Sequence, residues 1–139
     1  MLAGVKHGLH GLLALAMVAG CSSGDSASDP PPAEGVPRQA AETVERLERA
    51  TQRRDFKAIC DELLTKEARE RAGGGDCIRL LRSTAADVRR PRISILSIRV
   101  EEGRADVRVR STAEGQGSVQ ETIRLVREGE GYRIAALDG

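Results

Sequence analysis

Aromatic side chains are almost missing from this chain: it has no tryptophan, one phenylalanine (Phe56) and one tyrosine (Tyr132) among 139 residues. Stacking on bases or sugars therefore has little surface to use, and a core must be built from aliphatic groups. Histidine is as scarce. Its two copies, His7 and His10, fall in an N-terminal stretch read below as a removable leader. Once that leader is gone, Ser-His and Cys-His catalysis and histidine metal sites are excluded, and no metal or cofactor is expected. An excess of one charge is lacking too. Lysine and arginine total 22 against 21 acids, and with Lys6 in the leader the rest balances at 21 against 21. Such neutrality argues against a general nucleic-acid binder.

What is present begins with a mostly apolar run over residues 9–20, preceded by a short start carrying Lys6 and followed directly by Cys21. The run is shorter than the roughly 20 apolar residues that cross a bilayer and contains His10, so it reads as a secretory signal. Val18-Ala19-Gly20-Cys21 resembles the bacterial lipobox, with Val where Leu is commonest. The resemblance implies that residues 1–20 are a lipoprotein signal peptide, cut off after the Cys21 thiol has taken a diacylglyceryl group. Small Ala19 and Gly20 let an extended backbone enter a membrane peptidase, and cysteine supplies the nucleophilic sulfur. Each buried methylene contributes about 0.8 kcal/mol, so the two or three acyl chains the resemblance implies give a durable anchor. The expected partner is membrane lipid through acylated Cys21, and the expected location is the extracytoplasmic face of the cell membrane.

Residues 21–37 form the lipidated cysteine and a linker rich in Ser, Pro and Gly with almost no core-forming side chain, which reads as a disordered tether. Its acids are Asp25, Asp29 and Glu34 with no base, so it carries −3 and leaves +3 for the remainder. A flexible chain of this length spans about 20 Å, and Pro30 to Pro32 stiffen its middle.

Residues 38–139 read as one α+β domain. Ala40, Ala41, Val44, Leu47 and Ala50 recur at helical spacing over residues 38–54, with charges on the other faces. Asp55 is placed to cap a second helix over residues 56–64, whose Phe56, Ile59, Cys60 and Leu63 share a stripe. Thr65 caps a third over residues 66–72, which Gly73-Gly74-Gly75 ends. The triple glycine lacks the Gly-Lys-Ser/Thr of a phosphate loop and is followed by Asp76, which repels phosphate. Asp76 reads instead as the cap of a helix over residues 77–88 with Leu80, Leu81, Thr84 and Val88 facing inward.

The period then changes from helical to alternating. Ile93 and Ile95 lie on one phase, and Leu96, Ile98 and Val100 on the other, which predicts a bulge near Ile95-Leu96. Ala105, Val107 and Val109 alternate with Arg104, Asp106, Arg108 and Arg110. Val119, Ile123 and Leu125 share a face in residues 118–127, and a last strand covers residues 132–137. The turns between them have hairpin lengths, so the sheet is expected to be an antiparallel meander.

With Cys21 lipidated, Cys60 and Cys77 are the only two thiols left, and export places them where a pair normally bonds. The expected Cys60–Cys77 disulfide closes a loop worth roughly 3 kcal/mol and reads as structural, since a redox pair more typically has Cys-x-x-Cys spacing.

Helices first, an antiparallel sheet last and a closing Gly131-Tyr132-Arg133-Ile134-Ala135 strand resemble the cystatin-like roll of the nuclear transport factor 2 and SnoaL-like superfamily, in particular small actinobacterial lipoproteins of that type. The resemblance covers residues 38–139 and is carried by the helix-ending segment of residues 55–64, by Cys77 and by the final strand. Many relatives end with Trp where Tyr132 stands. It implies N-terminal helices packed on a curved sheet; the superfamily includes isomerases, cyclases, dehydratases and members without known chemistry, so fold alone settles no activity.

For chemistry, Glu121 shares a face with Val119, Ile123 and Leu125, and so points into a cavity or lies beyond the covered edge of the sheet. A carboxylate shielded from water is the usual general base for proton abstraction, and Tyr132 is the candidate hydroxyl donor. That is the enzyme reading, an isomerase- or cyclase-like one. The reading the residues favour is a non-catalytic binding or scaffolding module of the cell envelope. It takes a small apolar ligand in the hollow of the fold, or meets an envelope protein through the strand face bearing Arg104, Arg108, Arg110, Arg124 and Arg133.

Overall fold

The structure, a computed structural model, describes residues 35–138. The expected signal peptide, the expected lipidation site Cys21 and the expected tether up to residue 34 lie outside the described residues. Among the described residues, no helix is long and apolar enough to cross a membrane.

The class is α+β: helical elements come first and a four-stranded antiparallel sheet of order β1-β2-β3-β4 comes last. Helix α1, Val36–Arg53, begins two residues before its expected start. Pro37 explains the early start, because its fixed φ suits the first helical turn, where an N–H has no partner to lose. The expected linker therefore ends at Gly35. One face of α1 buries Ala40, Ala41, Val44, Leu47 and Ala50. Its C-terminus closes with the Asp55 amide on the Ala50 carbonyl at 2.8 Å, Arg54 taking the left-handed conformation between them.

The expected second helix is split. Asp55 caps α2, Phe56–Ala58, by accepting from the Ala58 amide at 3.0 Å. A π-helical turn, Ile59–Leu63, follows, closed by the Leu64 amide on the Ile59 carbonyl at 3.0 Å. The widened turn releases Leu64 and Thr65 to the free edge of β4, where the Thr65 amide donates to the Ile134 carbonyl at 2.9 Å. Thr65 then caps α3, Lys66–Arg71, through its hydroxyl on the Ala68 amide at 3.0 Å. Gly73, at φ +110°, turns the chain where a Cβ would strike Leu80.

Helix α4, Cys77–Thr84, stops four residues short of its expected end. Beyond Thr84 the backbone tightens into 3₁₀-type turns, with the Ala86 amide on the Ser83 carbonyl and the Val88 amide on the Ala85 carbonyl at 3.2 Å each, and the Arg54 guanidinium donates to the carbonyls of Ala85 (3.0 Å), Ala86 (3.5 Å) and Val88 (3.5 Å). Asp76 precedes α4 without capping it and pairs instead with Arg79 at 3.1 Å. Leu81 packs on the core as expected, but Leu80 and Thr84 are exposed and Ile78 takes their place inside. The Cys60–Cys77 disulfide is formed and buried, joining the π turn to α4.

The strands are β1, Arg92–Glu101; β2, Arg104–Ala113; β3, Gln116–Glu128; and β4, Gly131–Asp138. Register in β1 shifts between Ile95 and Ser97, so Leu96 is the extra residue at the expected bulge. Val107, Val109, Ile123, Leu125 and Ile134 meet Val44, Leu47, Phe56, Ile59 and Leu63 in the core. At about 3.3 Å per residue the 13 residues of β3 run ~43 Å, whereas the 18 of α1 run ~27 Å at 1.5 Å each. α1 is too short to cover β3 along its whole length.

Candidate ligand-binding cleft

The shortfall falls at one end. There the inner face of the sheet carries Val119 and Leu137, 58% and 55% exposed, in place of the fully buried residues further along the same strands. The C-terminal half of α1, the α3 and α4 region and the ends of all four strands enclose a cleft of about 560 Å³. That volume lies within the roughly 300–1,000 Å³ of small-molecule sites. Phe56, Ile59, Leu81, Ile123 and Ile134 give it hydrocarbon walls.

Glu121 lines this cleft, between exposed Val119 and buried Ile123 on β3. It is half-buried, and its Oε1 accepts from Ser111 Oγ at 2.7 Å. The β2–β3 register makes the pair: Ser111 stands opposite Val119 and Val109 opposite Glu121, so the two polar residues are diagonal neighbours on the inner face. Ser111 was not among the candidate residues. The alternation held its signal, because Ser111 continues the phase of Val107 and Val109 as Glu121 continues that of Val119 and Ile123; a register shift between Ser111 and Ala113 offsets the two-residue turn so that the two phases meet on one face.

Tyr132 is elsewhere. It is 4% exposed in the core, its carbonyl accepts from Thr43 Oγ1 at 3.3 Å, and it does not line the cleft. Its register partner on β3 is Arg127, six residues or ~20 Å along the strand from Glu121. The expected pairing of a cleft carboxylate with a tyrosine hydroxyl is therefore not formed; Tyr132 fills space that the aromatic-poor core leaves at the opposite end.

The expected arginine face is also only partly open. Arg104, Arg108 and Arg124 alternate with the buried row and face away from the helices. Arg124 pairs with Asp138 at 2.9 Å and Arg108 donates to Gln120 at 3.4 Å. Arg133 departs from the group. Its Nε pairs with Glu128 at 3.0 Å, and its Nη1 donates to the carbonyls of Asp61 (3.4 Å) and Leu64 (3.3 Å), so it fastens the π turn to the β4 edge.

A second, polar cleft of about 520 Å³ lies beside that turn. Asp61 lines it, accepting from Lys57 Nζ at 2.8 Å, with Arg69 Nη1 3.0 Å from its other oxygen but misaligned for a hydrogen bond. The Lys57 hydrogen bond holds the Asp61 carboxyl below its usual range, and Asp61 in turn holds Lys57 above its own. These charges pair with one another, although Asp61 Oδ1 accepts no hydrogen bond, and the larger apolar surface lies in the first cleft. Among the described residues no cluster of three or more His, Cys, Asp or Glu is placed to hold a metal ion. Compared with known proteins, the chain matches no family model and no curated relative.

Proposed function

We propose that this chain is a membrane-anchored lipoprotein of the extracytoplasmic face whose cleft binds a small apolar or lipid-like molecule without transforming it. The lipobox-like residues before Cys21 support the anchor. The order of helices and strands supports a cystatin-like roll akin to the nuclear transport factor 2 and SnoaL-like superfamily. The observation that carries the binding is the cleft itself, about 560 Å³ of largely hydrocarbon wall on a sheet whose apolar face the helices leave uncovered. A monomeric domain that exposes apolar wall at a concave site gains free energy when a ligand removes it from water. Catalysis at Glu121 has weaker support, since the only tyrosine does not line the cleft and its backbone lies ~20 Å away along the sheet.

Native mass spectrometry of the full chain carrying Cys21→Ala, purified without detergent, tests the reading. A small apolar molecule is expected to accompany the protein and to be lost from the Val119→Arg/Leu137→Arg variant. Both positions are more than half exposed, so the arginines block the cleft without disturbing the core. Adducts unchanged by the two arginines, or no binding of any apolar probe, would refute it.

A further inference from the structure

In a cleft walled by hydrocarbon, the few polar groups decide what kind of head a ligand must carry. Three of them are already engaged within the protein. Thr51 Oγ1 donates to the Leu47 carbonyl at 2.7 Å and Thr84 Oγ1 to the Leu80 carbonyl at 2.9 Å, each turned back on its own helix. Arg71 donates to the Ala135 carbonyl at the rim. Arg92, Thr112 and Gln116 also line the cleft but are exposed, so water hydrates them and ions screen the Arg92 guanidinium.

Glu121 differs. Among the described residues its one side-chain hydrogen bond is the 2.7 Å contact from Ser111 to Oε1, and no basic group forms an ion pair with it. An ionised carboxylate offers about four acceptor sites, so most of its capacity is unused. It also stands where the wall passes from exposed Val119 to buried Ile123, beside hydrocarbon that excludes water. A charged donor placed there gains more than it would in solvent, and a like charge is penalised for the same reason.

We infer that the ligand of the cleft is a cationic amphiphile, with an apolar body along the walls and a protonated amine against the free oxygen of Glu121, while Ser111 holds the other. This rests on the ligand-binding reading above and adds the chemistry of the head. An alcohol of the same chain makes one uncharged hydrogen bond at this point, and a carboxylate meets a like charge.

The test is calorimetric titration of the full chain carrying Cys21→Ala with dodecylamine, dodecan-1-ol and dodecanoate, all below their micellar concentrations at neutral pH. Dodecylamine is expected to bind roughly tenfold tighter than the alcohol, and dodecanoate more weakly than both. Glu121→Gln is expected to bring the amine down to the affinity of the alcohol, which itself stays within about twofold. Ser111→Ala keeps the carboxylate and so keeps the preference. Dodecanoate matching the amine, or an amine preference that survives Glu121→Gln, overturns the inference. If the alcohol binds as well as the amine, the assigned head falls and the apolar cleft stands; if none of the three binds, both fall.

Discussion

The two ends of the sheet are made from the same alternation and finish differently. At one end Ala105, Leu125 and Tyr132 are buried on the inner face, each at most 4% exposed, with Thr43 of α1 bonded to the Tyr132 carbonyl. At the other, the same inner row continues through Val119 and Leu137, more than half exposed, with Glu121 between covered and uncovered wall. Strand pattern sets which way a side chain points, and helix length sets whether anything meets it. The covered end therefore contributes stability, and the uncovered end has apolar surface free for a ligand.

The contrast is sharpest in a pair of truncations. Leu125→Ala, at a site 1% exposed, is expected to cost about 2–5 kcal/mol in denaturant unfolding, whereas Val119→Ala stays within about 0.5 kcal/mol. Comparable losses at both positions would erase the distinction between the ends. Next in size is the staple under the helical wall. The Cys60→Ala/Cys77→Ala variant is expected to lose about 3 kcal/mol, read as a lower midpoint in the same unfolding curve. Because α3 and α4 flank the cleft, affinity for dodecan-1-ol is expected to fall as well.

The smallest effect concerns the Asp61 cluster, which belongs to neither end. Folding lowers the Asp61 carboxyl from its ordinary 3.8, chiefly through the Lys57 hydrogen bond. Its contribution is therefore complete above that value and is lost as pH falls through the depressed one. Asp61→Asn is expected to flatten stability against pH below about pH 4 and to lower it slightly across the neutral range, where the contribution is complete, the effect staying small because the Lys57 partner is exposed. An acid limb identical in wild type and variant would show that the ion pair is not coupled to folding.

Much of this was legible from residue spacing because its causes are local. The phase flip from Ile93 and Ile95 to Leu96, Ile98 and Val100 marks the bulge at Leu96, and Asp55 and Thr65 cap as their side chains dictate. Departures arise where distant segments compete with local preference. Arg54 docks on carbonyls 31 to 34 residues away where α4 ends early, and the β4 edge takes up Leu64 and Thr65 where the helix expected over residues 56–64 gives way to a π turn. The site was half legible. Alternation put Glu121 on the inner face, but its depth depends on where the helices stop, and Tyr132 is separated from it by strand length that composition does not encode.

The measurement closest to the central claim is a methyl-resolved NMR titration of the chain with dodecan-1-ol, because it views both ends at once. Val119, Leu137, Leu81 and Ile123 are expected to shift saturably while Leu125 and Val100 stay fixed. Shifts confined to the covered end, or none at any of these methyls, would contradict the cleft as a ligand site.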